Sequence, residues 1–325
     1  MSILFWILVL LAAVGAIVWG AEAFAEHLGA AAVGLGVSSF ALALLLAGAE
    51  PEELATTLAA SVRGSPGIAL GDVIGANVTI CLVALGVGAV VRPIPFRNAF
   101  RYALLGLPLG TIGTSMAWDG KVSRWEGGIL VLLYIAYVAT IWIIERHPPS
   151  LGEVGELDQA SGAKARTRIG GDLLLVLAGV GVMSVGATVL VEAVRRIAPA
   201  EAPQTELGLT IVGFATGFEL VVLAWSASRR GASEAVVAGV VGSFAYNVTM
   251  TLGAAALARP LLLQNTLALH IPLLFMMGAL SLVILLAARR RELSRSSGML
   301  LLLGYPVFVI LVLTFGNAGA IHFNF

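Results

Sequence analysis

Two glutamates, Glu52 and Glu219, each lie inside an otherwise apolar stretch, and they hold the same position in a segment that the chain carries twice. Residues Ala47 to Pro93 align without a gap on Phe214 to Pro260, at a constant offset of 167 residues. The match also pairs Arg63-Gly64 with Arg230-Gly231, Gly75 with Gly242, Leu85-Gly86 with Leu252-Gly253, and Arg92-Pro93 with Arg259-Pro260. A carboxylate at bilayer depth costs roughly 3 kcal/mol unless it is paired, protonated or open to a water-filled cavity. No Lys or Arg lies in the same apolar runs, so the neutralisers left are protons and bound metal cations. Two glutamates facing each other from opposite helices would balance a divalent cation and supply the hard oxygen ligands that Ca²⁺ prefers.

Other polar groups extend this set. Glu50, Glu53 and Asp72 fall at or near membrane depth in the first copy. Glu52 and Thr56 stand at i and i+4, on one helical face. Ser243 and Asn247 have the same relation in the second copy and offer a hydroxyl and an amide oxygen to one centre. Gly48 and Pro51 predict a broken helix whose carbonyls lack partners, and such carbonyls coordinate cations. Gly213 and Gly217 predict the matching loosening in the second copy, while Gly75 and Gly242 permit close helix approach. Each residue also has a plainer reading. Glu50 can snorkel from a helix end, Asp72 can favour a helix N-terminus, and Ser243 and Thr56 can be packing hydroxyls. The recurrence of one residue type at one repeat position sets Glu52 and Glu219 apart.

The elements that must position these groups are membrane helices. The chain of 325 residues is 59% hydrophobic and 12% charged, with zero net charge; its mean hydropathy is +0.97. Apolar runs long enough to cross a bilayer recur throughout. Ten are expected, at about 3–22, 29–62, 66–91, 99–118, 125–144, 169–194, 207–228, 233–257, 265–288 and 297–316. The fold class is therefore an all-α polytopic membrane protein. The repeats begin in spans two and seven, and an odd separation inverts the second copy, giving two inverted five-helix repeats. The halves are 1–144 and 169–325, joined by a polar linker over 145–168. The first run reads as an uncleaved span despite Ala21-Glu22-Ala23. With both termini outside, 13 of the 19 basic residues fall on the inner side, as the positive-inside rule favours.

Several classes are disfavoured. Cys81 is the lone cysteine, so neither an internal disulfide nor a cysteine metal cluster is available. Four scattered histidines lack metal-ligand spacing, and His270 reads as a packed or interfacial residue. No basic tract suggests nucleic acid. Neither G-x-S-x-G nor H-E-x-x-H supports a membrane enzyme.

At these residues the chain resembles the Ca²⁺:cation antiporter superfamily, whose two inverted repeats read approximately G-T-S-x-P-E, then K/R-G, then G-S-N-x-x-N/D. Here the first copy reads Ala47-Gly48-Ala49-Glu50-Pro51-Glu52, Arg63-Gly64 and Gly75-Ala76-Asn77-Val78-Thr79-Ile80. The second reads Phe214-Ala215-Thr216-Gly217-Phe218-Glu219, Arg230-Gly231 and Gly242-Ser243-Phe244-Ala245-Tyr246-Asn247. The resemblance implies a secondary antiporter exchanging Ca²⁺ or a related cation for Na⁺ or H⁺ by alternating access, with spans 1 and 6 sliding across the site. It implies no cofactor, with inorganic cations and the lipid bilayer as partners, in a prokaryotic cell membrane. Glu52 and Glu219 take the paired calcium-binding positions, Ser243 and Asn247 the hydroxyl and amide positions, and Thr216 a threonine/serine ligand position. The first copy departs from the pattern at Gly48, Ala49, Ala76 and Ile80. One extra residue between the glutamate and the Gly-x-x motif leaves Glu53 a rival to Glu52. Glu50, Glu53 and Asp72 are the surplus acids that would replace lost sodium ligands or carry protons.

Overall fold

The computed structural model describes residues 2–34, 50–96, 99–145, 169–230, 233–289 and 291–316. Among them the chain forms ten helical segments: α1 (Ile3–Gly34), α2 (Pro51–Val62), α3 (Pro66–Val91), α4 (Ala99–Ala117), α5 (Arg124–Glu145), α6 (Ile169–Ile197), α7 (Glu201–Arg230), α8 (233–258), α9 (Leu267–Ala288) and α10 (Arg295–Gly316). Eight are long and apolar enough to cross a membrane; the others are the short α2 and the 19-residue α4.

One boundary differs from expectation. The first helix does not stop near residue 22 but runs to Gly34. The stretch from Glu22 to Gly34 contains no proline and three alanines in its last eight residues, so nothing breaks the hydrogen-bond ladder there. Residues 29–34, expected to open the second span, belong to this first helix. The expected break at Gly48 lies outside the described residues, as do residues 146–168 of the linker. The break at Pro51 is described: Glu50 is extended (φ −116°, ψ 90°), and α2 begins at the proline.

Four short strands reveal how the halves are related. They are β1 (Ile94–Pro95), β2 (Lys121–Val122), β3 (Leu261–Leu262) and β4 (Glu292–Leu293). β1 follows α3, and β3 follows α8 at the repeat-equivalent position. Yet β3 pairs with β2, which joins α4 to α5, while β1 pairs with β4, which joins α9 to α10. One membrane crossing separates β1 from β2, so they lie on opposite faces. Since β3 shares the face of β2, equivalent points of the two copies lie on opposite faces, and the repeat is inverted.

The same symmetry extends to local backbone. α3 widens into a π-helical turn at Ile80–Ala84, and α8 does so at Asn247–Thr251, again 167 residues on. Such turns leave one residue extra in the helix and commonly mark functional positions. α7 contains a third, at Gly208–Val212. In α3, Gly67, Gly71 and Gly75 form one small-residue stripe against this turn. A methyl group at Gly71 would stand 2.8 Å from the Leu209 amide nitrogen, and one at Gly75 would run into the Leu209 carbonyl. In return, Gly213 faces the backbone of Gly75 and Ala76. α3 and α7 are thus in backbone-to-backbone contact, where a side chain would force them apart.

Helix ends on the face carrying β2 and β3 are tied across the halves. Arg259 donates to the last-turn carbonyl of Val62 at 3.1 Å, and its guanidinium covers Gly64, which has φ +70°. Ser61 donates to the carbonyls of Ala255 and Arg259. A basic group on an orphan carbonyl offsets the negative end of a helix. Arg259→Ala should therefore lower stability by about 1 kcal/mol, with Arg259→Lys intermediate. Thermal melts of the solubilised protein check this; equal melting of all three would remove the role of Arg259 as a cap. His270 is packed: it stacks on Trp118 and its Nε2 meets the Trp118 carbonyl at 3.0 Å.

Candidate cation site

Both helix breaks place glutamates in the first turn of a half-helix. Glu52 and Glu53 open α2 after Pro51. In α7 a single turn residue, Gly217 (φ −75°, ψ −2°), interrupts the helix, and the second half-helix starts at Phe218, so Glu219 lies in its first turn. The unsatisfied amides and positive dipole end at such a start favour a negative charge, offsetting about 0.3–1 kcal/mol of the cost of placing it there. Proline and glycine at the two breaks therefore offset part of the cost of an intramembrane carboxylate at these positions.

Glu52 and Glu53 are each 1% exposed and Asp72 is fully buried; Glu219 is half-buried, with one carboxylate oxygen fully shielded. Glu53 stands among several of these groups. Its carboxylate lies within electrostatic reach of Asp72, Glu52 and Glu219 and beside the Asn247 amide. Thr57, one turn on from Glu53, donates to Asp72 Oδ2 at 2.9 Å, and Thr216 donates to Asp72 Oδ1 at 2.9 Å. Asp72 thus joins α2, α3 and α7, and its plain reading as a helix-start acid does not hold: it lies inside α3, with both oxygens engaged across helices.

Ser243 and Asn247 of α8 are fully buried. Asn247 donates to Asn77 Oδ1 at 3.4 Å and accepts from Thr251 at 3.4 Å. Asn77 in turn contacts the Met276 sulfur at 3.7 Å. Long, poorly directed bonds of this kind leave the amides room to reorient towards another partner. The Ser243 and Thr56 hydroxyls are buried with no hydrogen-bond partner among the described residues. A buried hydroxyl without a partner costs about 1–3 kcal/mol, which a packing role would not repay. Among the described residues no three His, Cys, Asp or Glu side chains form a group able to hold a metal ion by themselves. A cation held here would draw on carboxylates together with neutral hydroxyl, amide and carbonyl oxygens.

The residues singled out from sequence therefore divide as follows. Glu52, Glu53, Asp72, Thr216 and Asn247 come together around the α2–α3–α7–α8 contact, with Glu219 in reach and Ser243 on the buried wall of α8. Thr57, Asn77 and Thr251 belong to the same polar network and were not singled out. Thr57 carried a signal, since it stands to Glu53 as Thr56 does to Glu52. Asn77 and Thr251 were hidden because their repeat counterparts are Phe244 and Ala84.

Comparison with known proteins gives a consistent result. The profile of the family described as sodium/calcium exchanger protein matches residues 5–143 and 172–314, the bulk of both halves. An uncharacterized membrane protein of Methanocaldococcus jannaschii is 30% identical over 297 residues, covering 90% of each chain. The sodium/calcium exchanger MaX1 of Methanosarcina acetivorans is 26% identical, covering 94% of this chain and 97% of its own. Among solved structures, the sodium-calcium exchanger NCX_Mj superposes with a TM-score of 0.61 at 21% identity, over 95% of this chain and 99% of the other. That likeness is one of fold.

Proposed function

Since the chain belongs to the sodium/calcium exchanger protein family and is a cation antiporter of the membrane, we propose that it exchanges Ca²⁺, or a related divalent cation, for Na⁺ by alternating access. Glu53 and Glu219 supply the charge, with Glu52 beside them. Thr216, Ser243 and Asn247 supply neutral oxygens, and Asp72 orients Thr216 and Thr57. The observation that carries this reading is the pair of repeat-equivalent half-helix starts, each presenting a glutamate in its first turn, together with the buried Thr56 and Ser243 hydroxyls that have no hydrogen-bond partner among the described residues.

The same arrangement accounts for antiport rather than leak. With no cation bound, several carboxylates share a poorly hydrated space, where like charges repel strongly. Closing the site over that empty cluster is costly; closing it over a divalent cation, or over the equivalent monovalent charge, is not. Translocation then requires a passenger in each direction. Both termini lie outside in this reading, with the face that carries β1 and β4 in the cytoplasm, where 13 of the 19 basic residues fall.

Proton coupling is the second reading, favoured by one feature. Asp72 adds a carboxylate to the first half, where Ala76 and Ile80 replace the hydroxyl and amide that the second half keeps in Ser243 and Asn247. Calcium uptake into voltage-clamped liposomes separates the two. Uptake driven by an imposed Na⁺ gradient and indifferent to a pH gradient is the expected outcome. Uptake driven by the pH gradient alone would transfer the coupling to protons and to Asp72. No uptake under either gradient would remove calcium as cargo.

A further inference from the structure

The α1–α6 pair carries a feature that the exchange site does not use. The two helices are in close contact along one side, with Gly20 against the Gly179 carbonyl and Gly186 against Ile17. Beside this contact they leave an apolar groove of about 630 Å³, lined by small and branched residues including Ala12, Ala16, Gly181, Val185 and Val189. That volume falls within the range of sites that hold a discrete ligand. The space beside Gly181 is open: a methyl group there would meet nothing within 4 Å. The surrounding surface is of exposed Leu8, Leu11, Leu174 and Leu177, so the groove opens to the hydrocarbon of the bilayer.

One end of this groove is cationic. Val182, Val189 and Arg196 follow each other at intervals of seven on α6, so the lining continues up the same face to a guanidinium. Arg196 lies over the Trp6 ring of α1, 5.6 Å from its centroid. Arg196 Nε meets Glu192 Oε1 at 2.7 Å, and Arg63 meets Glu192 Oε2 at 3.0 Å. Arg195, exposed, acts on the same carboxylate. Three guanidinium groups therefore share one acid. The neighbouring Glu201 is turned to the Gln264 amide at 2.8 Å. The cluster retains an excess of positive charge at the level where an indole marks the membrane interface.

We propose that this groove binds an anionic phospholipid, with an acyl chain laid between α1 and α6 and the phosphate held at Arg195 and its neighbours. An apolar channel that ends in surplus guanidinium at interfacial depth matches a lipid in both its parts. A purely annular lipid would need neither. Guanidinium suits the headgroup because it binds phosphate oxygens bidentately. The proposal stands independently of which cations are exchanged.

Native mass spectrometry of the full-length protein, titrated with phosphatidylglycerol or with phosphatidylcholine of the same chains, tests it. The expected result is a site that holds phosphatidylglycerol at least about tenfold more tightly, ~1.4 kcal/mol. Arg195→Gln should narrow that preference threefold or more. Gly181→Leu, placed where there is open space, should weaken both lipids by filling the chain channel without harming the fold. Equal binding of the two lipids by the unaltered protein would overturn the site, as would unchanged binding by Gly181→Leu. A dimer that persists after delipidation and is broken by Gly181→Leu would assign the groove to a second copy instead.

Discussion

Glu53→Gln and Glu219→Gln should each reduce gradient-driven calcium uptake by about 100-fold or more, ~2.7 kcal/mol, while the protein still folds and reaches the membrane. Glutamine preserves volume and an amide oxygen, so the change is confined to charge. Losing one negative charge from a divalent site removes the balance that makes occlusion affordable. Removing a charge from a buried acidic cluster also relieves repulsion, so both variants should melt no lower than the parent. Glu52→Gln, on the neighbouring face, should have the smaller effect. Uptake that survives in Glu53→Gln but fails in Glu52→Gln would return the ligand role to Glu52, as the repeat alignment alone suggests. Survival in all three would sink the site.

The second large effect is structural. Gly75→Val should prevent assembly or lower stability by ~3 kcal/mol or more, a large share of the 5–15 kcal/mol typical of a folded protein. The added side chain meets the Leu209 carbonyl and, one turn away, a helix whose position is fixed by Gly71 against Gly208. Backbone cannot turn aside as a flexible side chain can. Gly278→Ala is the matched control: it lies in α9 with nothing within 4 Å, and it should be neutral or stabilising by about 0.5–1 kcal/mol. Size-exclusion profiles and melts of the two variants decide the matter. A monodisperse Gly75→Val protein melting like the parent would show that α3 and α7 do not need this approach.

Much of this architecture was legible because membranes restrict the options. Runs such as 66–91 and 265–288 are too apolar and too long to be anything but spans, and the odd separation of the two repeat-bearing spans implied the inversion that the strand pairings display. The end of α1 was not legible: alanine-rich sequence from Glu22 onward is compatible with helix or with a loop. The site was legible in its carboxylates and less so in their ranking. Repeat alignment pairs like with like, and so favoured Glu52 with Glu219 over Glu53. The nearness of Glu53 to Asp72 and Asn247 depends on which face of α2 turns inward, and no alignment of two copies records that. Asn77 and Thr251 were overlooked for the same reason, since each lacks a like counterpart and acts only across the interface.

The two strand pairs have a mechanical consequence. Each fastens a loop of one half to a loop of the other, and they do so at opposite ends of the molecule. Two bodies hinged at one end can swing apart at the other; two bodies stitched at both ends cannot. The halves therefore cannot tilt against each other as whole units without tearing Ile94 from Leu293 or Val122 from Leu261. Neither stitch includes α1 or α6. These pairings therefore fix a frame of the other loops and leave that pair outside it.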